Sequence, residues 1–279
     1  MAQIVSIKRR IKSTKNVSQI TYAMQMVAAS KMRKSQAAAV SGQPYAQAIS
    51  SALSHFSVKT DRSLHPLLKL NSSPHALVIL ISTDKGLCGG LNLNLFKLVQ
   101  SKFSLPSDTN FVCLGKKAEN FLVKASFNLV ADFPLKDHPQ AVSALSDLVT
   151  SSYAANQYGQ VHLAFNRFVS ALKQEPTVKT LLPVPPPADL SGHQGEFTIE
   201  PDPHQVIDAL LKAYVENQIK DALNQSQASE FSARMLAMKS ATDSARELLG
   251  LLTLEYNRAR QEKITSEISD IVTARLSVK

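Results

Sequence analysis

HQVIDALLKAYVENQIKDALNQSQASEFSARMLAMKSATDSARELLGLLTLEYNRARQEKITSEISDIVTARLSVK, residues 204–279, holds no proline and a single glycine, Gly250. Apolar side chains recur through it at steps of three and four. The series runs Ile207, Leu210, Tyr214, then Phe231, Met235, Met238, Ala245, Leu248, Leu252, Ala259, Ile264, Ile268 and Ile271. That spacing marks one buried stripe on a helix. At a rise of ~1.5 Å per residue, 70 helical residues span roughly 100 Å. No globular domain of this size is that long, so the stripe needs a partner. Glu200-Pro201-Asp202-Pro203 opens the segment, and a proline at a helix start is favourable because its missing N–H would be unpaired there.

The other end of the chain supplies the partner. Residues 1–41 contain neither proline nor glycine. Ile4, Ile7 and Ile11, then Val17, Ile20, Met24 and Val27, repeat the same spacing, with Thr14 filling the seam between. Gly42 and Pro44 predict a break or bend, after which Tyr45–Val58 resumes as helix. The predicted divisions are therefore an N-terminal shaft helix over 1–58, a central domain over 70–200 and a C-terminal shaft helix over 204–279. The seam is poor in leucine and contains Ala, Met, Thr and Tyr. Two readings stand on this pattern: an ordinary helical hairpin with a mediocre core, or a shaft whose outer surface serves other proteins.

The middle reads as α/β. His75–Ser82 (HALVILIS) is a short run of branched residues, the signature of a buried strand. Thr83–Gly90 follows as a turn and Leu91–Phe103 as a helix. Phe111–Leu114 is a second strand, ending at Gly115 before a helix from Lys116. Gln140–Asn156 is helical, and Val161–Phe165 and Val178–Leu182 are further strands. The alternation predicts a Rossmann-like α/β sheet domain. A Gly-rich strand-to-helix turn is where nucleotide folds hold phosphate. This one has neither GxGxxG nor GxxxxGK[ST] spacing, so the glycines are read as serving the turn and close packing. No cofactor is expected.

Composition narrows the function. The net charge is +9, with 31 Lys and Arg against 22 Asp and Glu. Residues 1–60 hold nine of the cations and no acid, and the remainder is balanced. Such a block seeks an acidic partner: nucleic acid, an anionic membrane or acidic protein loops. No apolar run approaches the ~18 residues that cross a bilayer. Cys88 and Cys113 give no disulfide framework, which points to a reducing compartment. The seven histidines show no metal-ligand spacing, and no Ser or Cys sits in a nucleophile elbow. An acid-free N-terminus also resembles a transit peptide. It is long for a cleaved leader, however, and its loss would strip the C-terminal helix of its partner.

Four blocks carry a family resemblance. Met24–Lys34 (MQMVAASKMRK) resembles the N-terminal helix of the gamma subunit of F-type ATP synthase, and Ser82–Asn92 (STDKGLCGGLN) its central-domain turn. Ser232–Asp243 (SARMLAMKSATD) and Tyr256–Thr265 (YNRARQEKIT) resemble its C-terminal helix. The blocks fall in family order and spacing across nearly the whole chain.

The resemblance implies a central-stalk rotor. Its two terminal helices would form an antiparallel coiled coil inside a ring of three alpha and three beta subunits. The central domain would sit near epsilon and the ring of c subunits. Catalysis would belong to beta and alpha, and rotation driven by protons would couple to ATP synthesis or hydrolysis. Carried over by position, the ring contacts would be Met24, Lys31, Arg33, Lys34, Arg234, Arg260, Gln261, Thr265 and Glu267. Glu200 would lie at the foot, where epsilon docks. Each also fits ordinary packing or a solvated helix surface. The chain departs from the family at Gln19 and Tyr22, where lysine is common, and at the C-terminus, where Arg275 and Lys279 add charge. It lacks the cysteine-containing insertion of chloroplast relatives. The expected location is the cytoplasmic face of a bacterial plasma membrane, as a peripheral protein. Two alternatives remain at this stage: a basic coiled-coil protein binding nucleic acid or an anionic membrane, and a small-molecule enzyme using the α/β domain.

Overall fold

A computed structural model describes residues 2–59, 65–103, 108–135, 138–185 and 202–276 of the 279. In chain order the elements are α1 (Ala2–Lys59), β1 (Ala76–Ile81), α2 (Leu91–Lys102), β2 (Thr109–Leu114), α3 (Lys116–Lys124), β3 (Asn128–Phe133), α4 (His138–Ala154), β4 (Gln160–Phe168), β5 (Gln174–Leu182) and α5 (Pro203–Leu276). The fold is the expected one: two long terminal helices and a central α/β sheet. Two compact units divide the chain, one of Met1–Ala29 with Arg234–Lys279, the other of Ser30–Ala233.

In the larger unit the sheet order is β3-β2-β1-β4-β5. β1 pairs in parallel with β2 and β4, β2 pairs in parallel with β3, and β5 returns antiparallel to β4. The period-2 geometry of a strand sends alternate residues to opposite faces. Leu77, Ile79 and Ile81 of β1 join Val112, Leu114, Val161, Leu163 and Phe165 on one face. That face is covered by Leu145 and Val149 of α4, Ile49 and Leu53 of α1, and Ile207, Leu211, Val215 and Ile219 of α5. Val78 and Leu80 point the other way and pack with Phe111, Leu95 and Val99 of α2, and Leu122 of α3. With both faces covered, β1 and β2 are nearly all buried, as expected of central parallel strands.

Two local expectations need correction. α1 runs unbroken to Lys59 with Pro44 inside it. Proline there removes one ladder hydrogen bond, to the carbonyl of Val40. Ser35 before it and Ile49 and Leu53 after it are buried, and this packing carries the helix through. The edge strand β3 was not anticipated. Its sequence, NLVADF, is interrupted by Ala131 and Asp132 and alternates only between exposed and half-buried positions. An edge strand with little burial leaves a weak hydrophobic signal.

In the smaller unit, Thr242 Oγ1 lies 2.8 Å from Thr21 Oγ1, and both residues are buried. Burial along α1 follows Ile4, Ile7, Ile11, Thr14, Ser18, Thr21, Gln25 and Ala28. Along α5 it follows Met235, Met238, Thr242, Ala245, Leu249, Leu252, Tyr256, Ala259 and Lys263. Both series step strictly by three and four, the heptad period of a coiled coil. With Thr21 opposite Thr242, antiparallel packing sets Ser18 against Ala245, Thr14 against Leu249, Ile11 against Leu252, Ile7 against Tyr256 and Ile4 against Ala259. Parallel packing would set exposed Lys239 and Arg246 against Ser18 and Gln25, so the helices are antiparallel.

This seam differs from the one expected. Val17, Ile20 and Val27 are 48%, 59% and 57% exposed, and Leu248 is 41% exposed. The apolar trail from Val17 onward, and Leu248 on α5, each lie one residue before the true seam. One residue is about 100° around a helix, enough to turn these side chains outward. Small and polar Ser18, Thr21 and Ala28 occupy the seam instead. Near the end of α5, Ile264, Ile268 and Ile271 are also exposed. In this register Ala2, the first described residue of α1, stands level with Gln261, so the described α1 offers nothing opposite them.

Candidate partner-contact surface

The smaller unit presents two kinds of surface. α1 carries exposed Lys8, Arg9, Arg10, Lys12 and Lys15, all cations, spread round the helix outside the seam. Apolar Val17, Ile20, Tyr22, Met26 and Val27 are exposed on the same helix, with Leu248, Leu251 and Leu254 on α5. Scattered exposed apolar residues are ordinary, but large ones this frequent on a helix pair are the kind of surface that partners cover. Arg246 reaches across from α5, its guanidinium carbon 5.8 Å from the Tyr22 ring centroid. The sequence reading did not single out this contact.

The residues expected to touch partners fall as follows. Met24 is half-buried beside the seam, and Arg234 is half-buried. Arg260, Gln261, Thr265 and Glu267 are exposed. They cluster where α5 passes the level of Ala2, the first described residue of α1. Thr265 donates its hydroxyl back to the Gln261 carbonyl at 3.0 Å. Lys263 Nζ sits 3.3 Å from Glu267 Oε1, a one-turn pair on the helix surface. In the larger unit Lys31, Arg33 and Lys34 are exposed, and Lys31 Nζ lies 5.4 Å from the Phe231 ring centroid. Glu200 and Lys279 lie outside the described residues, as does the Arg275 side chain.

Two strand-to-helix junctions of the sheet domain bear on phosphate binding: the Gly-rich turn before α2, and Gly115-Lys116 at the start of α3. A phosphate site needs free N–H groups at a helix start. At α3 those groups are occupied by the chain itself. Lys116 N–H donates to Asp84 Oδ1 at 3.2 Å, Lys117 N–H to the Thr83 carbonyl at 3.1 Å, and Ala118 N–H to Ser82 Oγ at 2.7 Å. Asp84 also places a carboxylate where a phosphate would sit. In the turn itself Thr83 Oγ1 donates to the Lys85 carbonyl and accepts from Asn92 Nδ2. Gly89 at φ +60° and Leu87 at φ +63° fold the turn tightly. Its polar groups serve the turn.

The two cysteines are both buried. Burial, with Asp132 and Glu119 nearby, pushes the Cys113 thiol up to about 12, far from the thiolate form that reacts or binds metal. His162 on β4 faces the Phe103 ring at 5.4 Å and Thr180 Oγ1 at 3.3 Å. Burial, and secondarily the charge of Lys102, lower its affinity for a proton. These are features of a packed domain.

Comparison with known proteins decides among the readings. The family profile described as ATP synthase matches residues 3–277. An ATP synthase gamma chain of Akkermansia muciniphila is 40% identical over 289 aligned residues, covering 98% of each chain. One from Heliobacterium modesticaldum is 40% identical over 277, covering 95% of this chain and 96% of its own. The chain belongs to the ATP synthase gamma-chain family. A chain of the Euglena gracilis mitochondrial ATP synthase superposes on this gamma-family chain with a TM-score of 0.71 at 18% identity. That superposition covers 99% of this chain and 95% of the other. A central-stalk and c-ring structure from Tetrahymena thermophila gives 0.60 at 24%, covering 80% and 99%. At those identities the structural likeness speaks for the fold. Among the described residues of this gamma-family chain, no helix is long and apolar enough to cross a membrane.

Proposed function

We propose that this chain is the central-stalk rotor subunit of an F-type ATP synthase. It couples proton-driven rotation to ATP synthesis or hydrolysis at beta subunits and carries no catalytic site of its own. The supporting observation is the outer surface of the α1–α5 pair. Cations and large apolar groups face outward from its seam. A rotor must meet three equivalent sites in turn without adhering to one. Exposed charges, each worth ~0–1 kcal/mol in a pair, suit that better than a large dry interface. Membership of the gamma-chain family favours this over a nucleic-acid-binding or membrane-binding coiled coil.

The proposal extends to the parts. Residues 1–58 and 204–279 act as the shaft and 70–200 as the foot domain. Met24, Lys31, Arg33, Lys34, Arg234, Arg260, Gln261, Thr265 and Glu267 meet the alpha–beta ring. Glu200 belongs to the foot, near epsilon and the c-ring. The relatives at 40% identity are bacterial, which supports a peripheral position on the cytoplasmic face of the plasma membrane.

The test is reconstitution. Full-length chain is mixed with purified alpha and beta subunits, the mass of the complex is measured, and ATP hydrolysis is assayed. One copy per three-plus-three ring, with turnover well above alpha and beta alone, is expected. No complex and no change in turnover would return the coiled-coil binding protein as the reading, testable with DNA and anionic vesicles.

A further inference from the structure

The basic sequence of α1 has a gap. From Asn16 to Ser30 the helix carries no charged residue, between five cations before it and Lys31, Arg33 and Lys34 after it. In the antiparallel register, the part of α5 level with this gap runs from about Ala233 to Glu247. It supplies three cations, Arg234, Lys239 and Arg246, against Asp243 and Glu247. Among them, the Arg246 guanidinium carbon lies 5.8 Å from the centre of the Tyr22 ring on α1.

The geometry leaves the charge available. Tyr22 is 47% exposed, and the Arg246 side chain is 61% exposed. Its ion pair with Asp243, one turn earlier on α5, is long at 3.8 Å and exposed on both sides, so it neutralises little. A guanidinium held beside an aromatic ring at this distance can still grip a carboxylate through its N–H groups.

We propose that Arg246, carried across the seam onto Tyr22, is a contact residue for an acidic segment of the ring subunits and fills the gap in the basic sequence of α1. The occupant follows from charge: a cationic group set beside the cationic run Lys8–Lys15 favours an acidic protein segment passing along it. This inference rests on the rotor reading and deepens it.

The experiment uses the full-length chain with purified alpha and beta subunits. The chain concentration for half-maximal complex formation is measured at low and high salt, alongside ATP hydrolysis. Four forms are compared: wild type, Arg246→Ala, Tyr22→Lys, and Tyr22→Lys combined with Arg246→Ala. Circular dichroism confirms that each is helical. Arg246→Ala is expected to raise the half-maximal concentration about two- to five-fold at low salt, the size of one exposed charge contact. High salt removes the difference by screening. The double variant returns the charge to α1 without the ring and is expected to recover wild-type assembly. If wild type itself fails to assemble, the rotor reading falls. If wild type assembles and Arg246→Ala matches it, the contact assignment is overturned with the rotor reading intact. If Arg246→Ala weakens assembly but the double variant does not recover, the pair serves packing between the helices, and the proposal is equally overturned.

Discussion

Gly115 stands where β2 hands over to α3, with φ at +98°. A Cβ there would lie 2.7 Å from the Ser82 carbonyl oxygen, so the position is both left-handed and crowded. Gly115→Ala is expected to cost about 1–3 kcal/mol, the scale of one strained residue, read as a lower urea midpoint of the full chain. The neighbouring glycines of the Thr83–Gly90 turn look equally suggestive in sequence, yet a Cβ at Gly86 or Gly89 would meet nothing within 4 Å. Sequence marks a glycine as special. Only the approach of a second strand end shows that Gly115 is crowded as well as left-handed. His162 gives a pH dependence with a definite sign. Burial first, and Lys102 second, make the folded imidazole resist a proton that the unfolded chain accepts with a pKa of ~6.5. Its contribution is therefore complete above that value and is lost as pH falls below it toward the lower folded pKa. Stability should fall as pH drops below about 6.5, and that of His162→Phe should fall less. Equal slopes for the two proteins in urea titrations at each pH would refute this.

At the level of the helix, the seam of the smaller unit separates two hypotheses that sequence alone leaves together. Ile7 is 3% exposed and Ile20 is 59% exposed. Ile7→Ala should cost about 2–4 kcal/mol, while Ile20→Ser should change stability by less than about 0.5 kcal/mol. Thermal unfolding of the two variants would give the opposite order if the apolar trail through Val17, Ile20 and Val27 formed the seam. Gly250 tests the helix in another way. It lies in α5 at an exposed position with an open surround, so Gly250→Ala removes flexibility from the unfolded chain and adds helix propensity. A gain of roughly 0.5–1 kcal/mol is expected. No gain would mean that the glycine has a role in the helix beyond its propensity. The Thr21–Thr242 layer shows why the seam was hard to read. Two hydroxyls 2.8 Å apart satisfy each other in the interior, and a scan for apolar periodicity passes over them.

For the whole molecule the decisive property is transmission between partners. Arg260 and Gln261 are exposed and stand beside the level at which the described α1 begins. Replacing both with alanine should lower ATP turnover in the reconstituted complex while leaving the helical content and melting temperature of the free chain unchanged. Undiminished turnover would remove these two residues from the contact surface. Much of this architecture was legible in the chain itself. The absence of proline and the single glycine over 204–279, the three-and-four spacing, the acid-free first sixty residues and the branched runs of β1 and β2 determined two long helices, a basic block and a central α/β sheet. These are local properties, written in backbone freedom, charge and short-range periodicity. What only the tertiary structure decided was which side of each helix turns inward. Ser18, Thr21 and Ala28 carry no hydrophobic signal, and Val17, Ile20 and Val27 carry a strong one on the wrong face. The same holds for the pairing of Tyr22 with Arg246 and of Thr21 with Thr242, the latter 221 positions apart. Burial and register belong to two helices at once, so a pattern read from either alone cannot assign them.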